Sequence, residues 1–157
     1  VAGDVPIGTV LPVQSEAVRW VDRAVETLDR GRVVAIDYAV RRTDELVGRG
    51  VEGWLRTFRG HERLGDPLDG LGTADITVDV CIDQIEHVVG PAEVSTQADW
   101  LRAHGIEELV EEGRRAWEAG AATGDLAALK ARSRVREAEA LLDPEGLGGF
   151  LVAAWEI

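Results

Sequence analysis

The feature that most constrains this chain is a helical pattern that runs straight into a short, unbroken apolar run. Val18, Val21, Val25 and Leu28 recur at three- and four-residue steps with charged residues between them, the spacing of an amphipathic helix. Ser15 stands where an N-cap is expected, and Gly31 where such a helix would end. Val33-Val34-Ala35-Ile36 follows at once and closes on Asp37. Continuous apolarity in β-branched residues suits a strand buried on both faces of a parallel sheet. A helix feeding directly into such a strand is the pattern of an α/β protein. The 157 residues are expected to form a single domain, long enough to bury roughly 70% of their unfolded surface.

The rest of the chain alternates in the same manner. Residues 1–12 carry Gly3, Pro6, Gly8 and Pro12 and read as an extended entry segment. Residues 41–53 read as a loop with one helical turn near 44–47, and 54–58 as a short strand. Residues 60–72, with Pro67 and four glycines, read as a loop. Ile76, Val78 and Val80 alternate with Thr77 and Asp79, which predicts extended chain. A short helix is expected over 83–88, broken by Pro91, then a strand over 92–96. A long helical tract covers about 98–142, with breaks near Gly105 and over 120–124. Residues 143–146 form a turn, and 150–155 the last apolar strand.

Charge and composition exclude several functions. The net charge is −12, so a duplex nucleic acid is not an expected partner, because phosphate binding needs clustered Lys and Arg. The acidic excess favours solubility and basic protein partners. No apolar stretch reaches the length of about 18 residues that a membrane-spanning helix needs, and no secretory leader pattern is present. Cys81 is the sole cysteine, which leaves no internal disulfide and no zinc cluster; a reducing, cytoplasmic setting is expected. The chain begins at Val1 and contains no methionine, which leads us to expect a portion of a longer protein.

Some residues could carry chemistry. Asp37 follows four apolar residues, at the strand end where open α/β sheets place their ligands. A carboxylate there can bind a guanidinium or accept a proton, or it can simply cap the loop. His61 can act as a general base near neutral pH or hold its loop by hydrogen bonds. Arg56 and Arg59 flank Phe58. Arg59 can clamp a carboxylate in bidentate fashion, or these arginines can pair with the nearby acids Asp66, Asp69 and Asp75. Asp75 and Asp79 can line a substrate groove or tie down the long loop. No calcium-loop spacing is present, so no metal is assigned. His87 and His104 lie in helical contexts without a motif. Trp20, Trp54, Trp100, Trp117 and Trp155 are too dispersed for a stacking platform and read as packing residues.

Five segments in order resemble one family. They are Val33-Val34-Ala35-Ile36-Asp37-Tyr38-Ala39; Leu55-Arg56-Thr57-Phe58-Arg59-Gly60-His61; Asp66-Pro67-Leu68 with Gly72 and Asp75-Ile76-Thr77-Val78-Asp79-Val80; Ser95-Thr96-Gln97 with Trp100-Leu101 and Gly105-Ile106; and Gly146-Leu147-Gly148-Gly149-Phe150-Leu151-Val152. Together they resemble the C-terminal part of MidA/NDUFAF7-family class I S-adenosylmethionine-dependent methyltransferases. The family's Asp-Tyr-Gly glycine is Ala39 here. Its glycine-rich strand-to-helix turn is missing, and Gly146, Gly148 and Gly149 fit a turn rather than a cofactor loop.

The resemblance implies an α/β fold, the C-terminal part of a Rossmann-like sheet. Its strands lie near 33–37, 92–96 and 150–155, the last antiparallel and between the other two, with a helical insertion over about 98–142. It implies catalytic roles for Asp37, Tyr38 and His61 and substrate contacts from Arg59, Asp75 and Gln97. S-adenosylmethionine would serve the complete enzyme, with none bound by this chain alone. A protein arginine is the acceptor that the family implies. Self-association or pairing with another subunit is expected at an exposed sheet edge. The alternative is a non-enzymatic, acidic interaction or assembly module that kept the scaffold.

Overall fold

A computed structural model describes residues 5–68, 71–122 and 125–157. Asp69, the glycine at 70, residues 123 and 124, and the first four residues with Gly3 lie outside the described residues. The chain forms two compact units: one runs to Val94 and takes in Ala153–Ile157, and the other is Ser95–Val152.

In the first unit, α1 spans Ser15–Glu26. It begins one residue earlier than the sequence pattern placed it, because Gln14 O accepts the first helical bond from Val18 N at 3.0 Å. Its end also differs. The Thr27 hydroxyl and amide both donate to Arg23 O, at 2.7 and 3.1 Å, and this closes the helix before Gly31. Gly31, with φ of 143°, instead exchanges both backbone bonds with Ile157, at 3.1 and 2.8 Å. That exchange is the hydrogen-bonded pair of an antiparallel ladder.

Strand β1 (Arg32–Asp37) follows at the position expected. The expectation that both its faces are buried is not met. Val34 and Ile36 are 38% and 45% exposed, because β1 is an edge strand in the three-stranded sheet β1-β8-β7. The fully buried run is instead the last strand, β8 (Leu151–Glu156), where Val152, Ala153, Ala154 and Trp155 are all 5% exposed or less. It is the central strand, so neighbours cover it on both sides. Arg32 Nε donates to Glu156 at 2.7 Å across the β1–β8 pair.

After β1, β2 (Ala39–Val40) pairs in parallel with β6 (Val80–Cys81). Between them lie a 3₁₀ turn over Thr43–Leu46 and a short helix, α2 (Val51–Trp54). An antiparallel sheet of order β4-β3-β5 comes next, made of β3 (Leu55–Arg59), β4 (Glu62–Leu64) and β5 (Asp75–Val78). Val40, Leu46, Trp54 and Cys81 form a core cluster here. Burial pushes the Cys81 thiol above its ordinary titration range. Helix α3 (Ile82–Val89) and strand β7 (Glu93–Thr96) complete this part of the chain.

The helical tract resolves into α4 (Gln97–Ala103), α5 (Ile106–Gly120) and α6 (Leu126–Leu142). Gly105, at φ 87°, makes the first break, and Asp125 caps α6 through Ala128 N at 2.7 Å. Close approach joins α5 to α6: a Cβ at Gly120 would meet the Ala128 Cβ at 2.7 Å. A 3₁₀ turn over Leu147–Gly149 then leads into β8. Among the described residues, no helix is long and apolar enough to cross a membrane.

Candidate functional site

The site begins at the carboxyl end of β1. Asp37 Oδ1 accepts the amide of Tyr38 at 2.7 Å, and Tyr38 O accepts Val80 N at 2.7 Å. These two bonds fix the chain where it leaves β1 and enters the β2–β6 pair. Asp37 is exposed, and the Tyr38 ring is 47% exposed.

The opposite wall is the β3–β5 pair. Arg56 lies across from Thr77, and Phe58 across from Asp75. Side chains two apart on a strand share a face, and directly opposed residues stand on that same face. The register therefore gathers Arg56, Phe58, Thr77 and Asp75 on one surface and sends Leu55, Thr57, Ile76 and Val78 to the other. Thr57, on the second face, is 1% exposed. With Tyr38, Gly60 and His61, the first group lines an open cleft of about 570 Å³.

His61 reaches the cleft through a strained turn. Arg59 pairs with Glu62, so Gly60 and His61 are the two-residue loop of the β3–β4 hairpin. Both carry positive φ, 55° and 71°. Such hairpin loops need this backbone because its twist matches that of the strands. His61 is the one non-glycine residue with positive φ among the described residues.

Arg56 is the most constrained side chain of the cleft. Its Nη2 donates to Asp79 Oδ1 at 2.6 Å, and its guanidinium carbon stands 5.5 Å from the centre of the Tyr38 ring. Asp79 is 7% exposed and also faces Arg49 Nη1 at 3.6 Å. Its backbone is pinned as well: its amide donates to Trp54 O at 3.0 Å, and its carbonyl accepts Gln14 Nε2 at 2.6 Å.

Of the residues that the sequence nominated, Tyr38, His61 and Asp75 come together on the cleft, and Asp37 adjoins it through Tyr38. Arg59 does not line the cleft. It donates to Thr73 O at 3.2 Å and Thr73 Oγ1 at 2.7 Å, which ties down the chain before β5. Among the described residues its partner is Thr73 rather than Asp66 or Asp75, and Asp69 lies outside the described residues. Gln97 belongs to the second unit, where it is 7% exposed and donates to Leu141 O at 3.3 Å. Arg56, Phe58 and Thr77 were missed as cleft residues. Their signal was the alternation along 55–59 and 75–78, readable only once the pairing register is known.

A larger groove of about 770 Å³, bordered by Leu11, Val13, Val18 and Val88, contains none of the nominated residues. Three of its polar side chains are engaged with one another: Gln84 Nε2 donates to Pro12 O and Thr43 Oγ1, and Thr43 donates to both Asp83 oxygens. The cleft beside Tyr38, which gathers Tyr38, His61 and Asp75, is the better candidate.

Of the glycines before β8, Gly146 faces the Asp143 side chain, where a Cβ would lie 3.3 Å from a carboxylate oxygen, and Gly148 and Gly149 face backbone. A Cβ at Gly148 would lie 2.6 Å from the Leu142 carbonyl carbon, and one at Gly149 would strike Pro144 O. Their missing side chains make room for the chain's own backbone. Among the described residues, no group of three His, Cys, Asp or Glu side chains converges as a metal site would.

Known proteins give this geometry a context. Residues 4–99, more than half of the chain, match the family described as "putative S-adenosyl-L-methionine-dependent methyltransferase". No curated protein matches. A crystal structure of an uncharacterised protein from Burkholderia thailandensis is similar over 92% of this chain, with 26% identity and a TM-score of 0.70. A structure from the same organism bound to S-adenosyl-homocysteine is similar over 92% of the chain, with 26% identity and a TM-score of 0.68. The chain spans 38% and 36% of the length of these two proteins. The chain belongs to this family of S-adenosyl-L-methionine-dependent methyltransferases.

Proposed function

We propose that this chain forms the acceptor side of a methyltransferase and that its cleft receives a cationic nitrogen, such as the guanidinium of a protein arginine. The observation that carries this reading is the cleft at the carboxyl end of β1. It sets the aromatic rings of Tyr38 and Phe58 beside the Asp75 carboxylate, with Asp37 next to Tyr38. Aromatic faces and carboxylates are the groups that attract a planar cation. Methyl transfer requires alignment of the acceptor and an available lone pair more than covalent help from the protein. Asp37 and Asp75 would orient the acceptor, and His61 could take its proton.

In this reading S-adenosylmethionine is the methyl donor, held by polypeptide corresponding to the part of the relatives that this chain does not span. The setting would be cytoplasmic, and the partner a protein. Calorimetry tests this division of labour. The full-length protein should bind S-adenosylmethionine with micromolar affinity, and the 157-residue chain should not. A one-to-one isotherm with the chain alone would overturn it.

A second reading rests on exposed Val34 and Ile36 on the edge strand β1. Apolar strand edges recruit other chains, so a non-enzymatic interaction or assembly module would use that edge, for a second copy or for another subunit.

A further inference from the structure

We infer that Asp79 is a positioning residue of the cleft, acting through Arg56 to set the Tyr38 ring. This rests on reading the cleft as the acceptor site. Asp79 is the best-buried acid among the described residues, 7% exposed, and its carboxylate faces both Arg56 and Arg49. Its backbone is fixed at both ends by Trp54 and Gln14, so its side chain emerges from a rigid point. From that point it takes Arg56 Nη2 at 2.6 Å. Arg56 Nη1 leans on Gly53 O at 3.4 Å. With both ends of the fork committed, the guanidinium carbon is held over the Tyr38 ring, 5.5 Å from its centre. A carboxylate holding a guanidinium by a charge-assisted bond is directional, whereas an ammonium would act as a point charge.

Two consequences follow for the cleft. The ring of Tyr38, half exposed, is given a fixed orientation as one wall. The positive charge of Arg56 is offset by Asp79, so the cleft can accept a second cation beside Asp75 with less repulsion. A residue that served stability alone would do neither.

Tyr38 is the only tyrosine in the sequence, so a single fluorine label reports on it without assignment. The 157-residue chain labelled with 3-fluorotyrosine would be followed by fluorine NMR as wild type, Asp79→Asn, Asp79→Glu, Arg56→Lys and, as a control, Arg19→Gln, since Arg19 pairs with Glu16 on α1 and does not line the cleft. The expected result is a shifted or broadened resonance in Asp79→Asn and Arg56→Lys, partial return in Asp79→Glu, and no change in Arg19→Gln. If Asp79→Asn does not fold, Arg56→Lys reads the same clamp from its less buried end. An unmoved resonance in the folded variants would overturn the inference.

Titration with N-acetyl-arginine N-methylamide supplies the second arm. Binding should weaken at least tenfold in Asp79→Asn relative to wild type. Equal binding by the two proteins, despite a shifted resonance, would overturn the positioning role. A wild type that does not bind the probe defeats the cationic-acceptor reading instead, and the unliganded resonances then judge the clamp alone.

Discussion

Replacing Asp37 by Asn separates a structural role from a functional one. Asp37 is exposed, and its Oδ1 accepts Tyr38 N at 2.7 Å. Asparagine keeps a carbonyl oxygen at that position, so the bond survives without its charge. The stability change should stay within about 0.5 kcal/mol, as for surface substitutions that preserve local bonding. The negative charge itself is lost. If that charge orients a cationic acceptor, a charge-assisted bond and the alignment it provides are lost together. A hundredfold fall in turnover corresponds to about 2.7 kcal/mol of barrier, within what such interactions supply. The assay is turnover of the full-length enzyme beside a thermal melt. The account predicts turnover down by about a hundredfold with an unchanged melting temperature. Near-normal turnover would return Asp37 to the role of a loop cap, and a parallel loss of both would make it structural.

Three further outcomes follow from other parts of the molecule. Gly148→Ala places a Cβ against the backbone of Leu142 and Asp143, at 2.6–2.7 Å, so the melt should show a loss of about 1–3 kcal/mol; unchanged stability would refute the packing role of this glycine. Cys81 is fully buried and its thiol is pushed up from 9.0, so native protein should resist alkylation at pH 8 and react on unfolding. The sign of the shift also means that stability is held below pH 9.0 and declines as pH rises beyond it, because only the unfolded thiol ionises there; a pH series of denaturation midpoints checks this. Finally, the apolar edge at Val34 and Ile36 should drive self-association of the 157-residue chain, and replacing both by Thr should yield monomers; sedimentation of the unsubstituted chain as a clean monomer would oppose it.

Much of the fold was legible because its elements carry strong local patterns. The run 33–36 and the breaks at Gly105 and near 120–124 placed β1 and the three helices α4, α5 and α6. The strand β4 was missed because Glu62-Arg63-Leu64 has no apolar alternation; it exists through pairing with β3 and the turn at Gly60-His61. The burial of β1 was overestimated for a related reason. Apolar content says that a strand can be covered on both faces, whereas its place in the sheet decides whether it is, and β8 holds the central place.

The site divides in the same way. Asp37 and Tyr38 were readable from one strand and its end. Asp75 and His61 were nominated singly, but their convergence depends on the β3–β5 register and on the hairpin turn, which are non-local. The pairing of Asp79 with Arg56 joins residues 23 apart, and no spacing rule selects Asp79 over Asp75 as its partner. Gln97 entered through a motif, and its side chain serves the backbone of Leu141.

The central claim is that the cleft beside Tyr38 delivers a cationic nitrogen to methyl transfer. Its most direct test is to incubate the full-length protein with S-adenosylmethionine carrying a labelled methyl group and with arginine-bearing protein acceptors, then to hydrolyse the products and identify the methylated residue. The account predicts label on arginine nitrogen, suppressed by Asp37→Asn. Label on an oxygen or carbon acceptor, or on arginine at an undiminished rate in the variant, would contradict it.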